Sequence, residues 1–64
     1  MRCYFMRDGH IGAVEVLQPA DDKTVIEEAR WLFEELGPLR KADGFEVWDG
    51  ARFVYRFGTA GPLG

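Results

Sequence analysis

Cysteine is nearly missing from this chain: Cys3 is the only thiol, and His10 is the only imidazole. One cysteine excludes an internal disulfide framework and any multi-cysteine metal set. A lone thiol fits a reducing compartment, so a cytoplasmic chain is expected. No apolar run approaches the ~18 residues of a membrane span. The opening residues, Met-Arg-Cys-Tyr-Phe-Met-Arg-Asp, lack the apolar stretch and small-residue cleavage site of a signal peptide. A glycine-rich dinucleotide fingerprint, a Walker loop and a nucleophile elbow are missing too. Length sets the firmest limit. At 64 residues there is room for one small domain and little for an enclosed site. So short a chain buries only about 60% of its unfolded surface. A lone copy is therefore marginal, and self-association is a ready route to stability.

What is present is globular. Apolar residues make up 47% and aromatics 14%, too much for a disordered chain. Two segments carry hairpin signals, residues 2–17 turning at Asp8-Gly9 and residues 45–57 turning at Asp49-Gly50. Between them, residues 22–36 have helical period. Val25, Ala29, Leu32 and Leu36 form one stripe, with Ile26 and Phe33 beside it. Asp21 or Asp22 suits the N-cap. Gly37-Pro38 is expected to end the helix, glycine in the left-handed conformation and proline unable to continue. Residues 40–44 read as a polar connector, and residues 58–64 as a flexible tail.

The two hairpins share a pattern. Tyr4-x-Met6-x-Asp8-Gly9 matches Phe45-x-Val47-x-Asp49-Gly50. A type I turn with glycine in the following bulge position suits both. In the second hairpin this sets Phe45 opposite Phe53, Val47 opposite Ala51 and Glu46 opposite Arg52, a favourable charge pair. In the first it turns Tyr4, Met6, Gly12, Val14 and Val16 inward. Cys3, Phe5, Ile11, Ala13 and Leu17 then point outward, an apolar outer face that means either a different register or another protein against it.

The run Tyr4-Phe5-Met6-Arg7-Asp8-Gly9-His10-Ile11, followed by a capped helix and Phe45-Glu46-Val47-Trp48-Asp49-Gly50-Ala51-Arg52-Phe53-Val54, resembles a group of short uncharacterised alphaproteobacterial proteins of Rhizobiales type. Those chains read Y-x-F-x-D-G-H-I near the start and E-x-W-x-G-A-R-x-V near the end. The likeness spans residues 4–56. This chain departs from it in the longer 37–44 connector and in Trp31. The resemblance implies a bacterial, cytoplasmic chain with ββαββ order, and it carries over no catalytic residue.

Several side chains invite a chemical role. His10 has no second histidine or nucleophile beside it, so the enzyme reading, a site around His10 at a subunit interface, ranks last. Cys3 next to Arg2 could be a redox thiol, against the plain reading of a small strand residue. Glu27, Glu28, Glu34 and Glu35 fall on the solvent side of the helix and read as a solvated face rather than a metal site. Residues 22–36 carry the whole net charge of −3, since acids and bases balance elsewhere. That disfavours nucleic acid on the helix side and suits a basic protein partner. Trp31 lies nearly opposite the apolar stripe, amid those glutamates. It is either a contact residue or packed on the 37–44 connector. Trp48, at the second turn, either covers the hairpin end and stacks on Arg52 or makes a binding contact.

The expected fold is α+β: ββαββ, a four-stranded antiparallel sheet with one helix on one face, in a single domain over residues 1–57. The expected core is Tyr4, Met6, Val14, Val16, Val25, Ile26, Ala29, Leu32, Phe33, Leu36, Phe45, Val47, Phe53 and Tyr55. The expected function is a non-enzymatic, self-associating interaction module without cofactor or metal. It forms a homodimer through Phe5, Ile11, Ala13 and Leu17, with Trp31 and Trp48 as further contacts. The alternative is a small ligand- or nucleic-acid-binding protein using the outer sheet face with Phe5, Trp48, Arg52 and Arg56.

Overall fold

A computed structural model describes residues 1–58. The order is β1 (Arg2–Arg7), β2 (His10–Val16), α1 (Asp22–Arg40), β3 (Gly44–Asp49) and β4 (Arg52–Gly58). The strands form one antiparallel sheet in the order β2-β1-β3-β4, and α1 lies across one face. The first strands of the two hairpins are thus the central pair, and the second strands are the edges. Of the expected tail, Gly58 closes β4, and residues 59–64 lie outside the described residues.

Both turns are two-residue loops, unlike the expected bulged turn. Arg7 pairs with His10 across Asp8 and Gly9, whose φ angles are 53° and 80°. Left-handed backbone at both positions is the signature of a type I′ turn. Asp49 pairs with Arg52, so the second loop is Gly50-Ala51, and only Gly50 is left-handed, at φ 62°. The bulges exist, but they sit farther up the strands. Gly12 falls between Ile11, which faces Met6, and Ala13, which faces Phe5. Val54 falls between Phe53, which faces Trp48, and Tyr55, which faces Val47.

This register changes the faces. In the first hairpin Cys3, Phe5 and Leu17 are buried under the helix, with Ala13 packed against them, although all four were expected outside. Tyr4, Val14 and Val16 point away from the helix instead. In the second hairpin Phe45 and Val47 are fully buried as expected, and Tyr55 packs beside them. Phe53 was expected inside, but the bulge at Val54 turns it out. Glu46 meets Arg56 rather than Arg52. Met6 is buried yet belongs to the outer face, under the edge made by Ile11.

The helix begins where its cap predicts. Asp21 is extended, and its carboxylate accepts the Thr24 backbone N–H at 2.8 Å. It ends later than expected. Gly37 is helical and buried, and a Cβ there would press on the Phe33 ring at 3.2 Å. Its smallness serves packing rather than termination. Pro38 sits in the last turn, where one backbone bond is lost. Lys41 takes the left-handed cap at φ 56°. Ala42 N–H then donates to the Gly37 carbonyl at 2.9 Å and Lys41 N–H to that of Pro38 at 3.3 Å, a Schellman cap. Val25 and Ala29 press fully into the sheet, with Leu32, Phe33 and Leu36 half-buried beside them. The Phe33 ring lies 6.2 Å from Phe5, 5.3 Å from Phe45 and 5.6 Å from Phe57, joining both hairpins to the helix.

Candidate protein-interaction surface

The strand register arranges the outer face in three rows. Val16, Arg2, Trp48 and Phe53 make the first, running β2-β1-β3-β4. Val14, Tyr4, Glu46 and Arg56 make the second, and Ile11, Met6, Gly44 and Gly58 the third. The exposure is large: Val16 78%, Ile11 58%, Val14 47% and Phe53 46%. Among the described residues, no element packs on this face.

Its middle is polar but internally matched. The Glu46 carboxylate accepts the Trp48 indole N–H at 3.0 Å on one oxygen. The other accepts Arg56 Nε–H at 3.1 Å. The Arg56 guanidinium also lies 5.8 Å over the Phe53 ring, and Phe53 meets Trp48 edge-on at 5.4 Å. These contacts fix two aromatic side chains and neutralise the one carboxylate on the face. Beside them, Arg2, Tyr4, Val16 and Trp48, with Met1 and Gly50, line an open hollow of about 340 Å³.

The sequence-derived contact residues divide. Ile11 and Trp48 lie on this face. Phe5 and Leu17 are core residues, 0% and 2% exposed, and cannot touch a partner. Trp48 is a β3 residue rather than a turn residue, and its partners are Glu46 and Phe53, not Arg52. Arg52 holds the helix start instead, donating to both Asp22 oxygens at 3.2 and 3.1 Å and to Asp49 at 3.4 Å. Sequence reasoning missed Val14, Val16 and Phe53 as surface, and it paired Glu46 on the outer face with Arg52 rather than Arg56. The alternation of Val14 and Val16 with Glu15 by itself points the valines inward, and only the helix contact of Glu15 reverses it. Glu15 is tied to Arg40 of the helix at 3.0 Å, so its neighbours must face away.

Trp31 is on the opposite side of the molecule. It is 59% exposed on α1, with Glu27, Glu28, Glu34 and Glu35 one turn away in each direction. Of the connector it was given to pack on, residues 37–40 are the last turn of the helix and Gly44 opens β3. Among the described residues, no ion pair engages those four glutamates.

The chemical candidates stay apart. Cys3 is sealed in the core, where burial and then Glu15 push its thiol up to about 12. His10 is exposed at the tip of the first hairpin. Among the described residues no three His, Cys, Asp or Glu side chains gather as a metal set, and no helix is long and apolar enough to cross a membrane. Against known proteins, no family model, curated sequence or solved structure matches this chain.

Proposed function

We propose that this protein is a non-enzymatic interaction module that self-associates through the outer face of its sheet. One observation carries the reading: Ile11, Val14, Val16 and Phe53 stand exposed on a single continuous face. Such a patch marks a contact surface on a small chain. Four strands of six or seven residues, about 4.8 Å apart, make this one of the broad faces of a molecule measuring 28 × 25 × 15 Å. The Trp31 side of α1, with its unpaired glutamates, is a second surface, suited by charge to a basic protein partner.

Tyr4, Trp48 and Phe53 on three successive strands, with Arg2 and Arg56 among them, favour a second reading. In it the face stacks a ligand or single-stranded nucleic acid. Sedimentation velocity separates the two. Self-association by apolar burial gives a dimer that persists as salt rises, whereas phosphate binding weakens steeply. Phe53→Glu should dissociate the dimer and Trp31→Glu should leave it intact. A parent chain that stays monomeric at high micromolar concentration would refute self-association.

A further inference from the structure

We infer that the occupant of the outer sheet face is a second copy of this chain, related by a twofold axis running along the strands between β1 and β3. The inference rests on the interaction-module reading above and adds the geometry. Charge placement favours a second copy. The helix, with five acids against three bases over Asp22–Arg40, is net acidic and lies on the far side of the sheet. Two copies meeting sheet to sheet keep their acidic helices outermost. On the outer face Glu46 is held by Arg56 and Trp48, and Arg2 stands without an ion-pair partner among the described residues.

A twofold that brings the same face of two copies together lies in the plane between them. Packed sheets keep their strands within about 30° of each other. The axis therefore runs either across the strands or along them. Across the strands, through the middle row, every residue of that row meets itself. Glu46 then faces Glu46 and Arg56 faces Arg56, like charges at the desolvated centre. Along the strands, the axis exchanges β1 with β3 and β2 with β4. Val16 of one copy then meets Phe53 of the other, and Tyr4 meets Glu46. Ile11 and Met6 lie over Gly58 and Gly44, which themselves carry no side chain. Arg2 comes against the second copy's Trp48, a cation over an indole. The hollow bounded by Arg2, Tyr4, Val16 and Trp48 is where that ring seats. Val14 meets the second copy's Arg56 stem. Large over small is common to both axes, since the axis across the strands sets Trp48 over Gly44 and Phe53 over Gly58; what distinguishes the axis along the strands is that cation meets ring and like charges stay apart.

Val16→Lys and Phe53→Asp test it by mixing. Both residues point outward on opposite edge strands, so neither change touches the core or the other within one chain. Far-UV circular dichroism checks that each variant folds. In sedimentation velocity each variant alone should dimerise at least about tenfold more weakly than the parent. An equimolar mixture should recover dimer to within about threefold, because one 16–53 contact is native and the other is a Lys–Asp pair. The chain carrying both substitutions should also dimerise, with a dimer that weakens as salt rises. Loss in the single variants without recovery on mixing overturns the axis while leaving the face as the interface. Recovery from Val16→Lys mixed with Ile11→Asp selects the axis across the strands and equally overturns it. Single variants that dimerise like the parent show pairing through sheet edges and overturn both statements. A monomeric parent overturns the self-association reading itself.

Discussion

Phe5 and Val16 show how much one residue's side of the sheet decides. Phe5 is fully buried against Phe33, whereas Val16 is 78% exposed. Phe5→Ala should cost about 3–5 kcal/mol, enough to unfold so small a domain. Val16→Ala should change monomer stability by no more than about 0.5 kcal/mol. Thermal melts at low protein concentration read both. Gly58 is as constrained as Phe5. Its φ is 86°, and a Cβ would lie 2.5 Å from the Asp43 carbonyl oxygen. Gly58→Ala should therefore melt clearly lower than the parent, by more than the ~1 kcal/mol of an ordinary glycine replacement. Cys3 holds its proton to about 12 in the folded chain, against about 8.5 when unfolded. The unfolded thiol ionises first, so stability is complete below about pH 8.5 and falls as pH rises toward 12. Cys3→Ala should flatten that alkaline decline, which denaturant titrations from pH 8 to 11 would show. A decline of equal slope in the variant would assign it to other groups.

At the scale of elements, the helix start is a pH sensor of opposite sign. Thr24 hydrogen bonds, side chain before backbone, hold Asp21 below its usual carboxylate range, and the Arg52 hydrogen bond does the same for Asp22. Carboxylates depressed in the folded state stabilise it above about pH 4, and that contribution is lost as pH falls further. Asp21→Asn keeps a capping oxygen without the charge. It should melt near the parent at pH 7 and lose part of the acid decline; an unchanged acid limb would contradict the cap's role. Element order, the N-cap and the helix stripe were legible because each rests on local chemistry. The hairpin faces were not. Asp8-Gly9 fills both loop positions, but Asp49 is a strand residue and Gly50-Ala51 is the loop. The two Asp-Gly pairs thus match in sequence one residue out of step with the folded hairpins. Side chains alternate with period two, so a one-residue slip turns a whole strand over. The helix end misled for a related reason. Gly37-Pro38 reads locally as a stop, but the glycine is needed beneath the Phe33 ring, which only the packed chain reveals.

For the whole molecule, the outward apolar set and the position of the charge belong to one arrangement. Cys3, Phe5, Phe45 and Val47 of the strands, with Leu17 just after β2, bury against α1, and the face they leave behind is broad, with apolar residues around the Glu46–Arg56 pair. Lone copies of so short a chain are marginal, so covering that face adds stability where it is scarce. The melting temperature should accordingly rise with protein concentration, and Phe53→Glu should abolish the rise. The most direct test of this account is an isotope-filtered nuclear Overhauser experiment on an equal mixture of labelled and unlabelled chains. The account predicts cross-chain contacts from the Val16 methyls to the Phe53 ring, and from Ile11 to the α-protons of Gly58. Cross-chain contacts confined to the β2 or β4 backbone edges, or none at a concentration where sedimentation shows dimer, would contradict it.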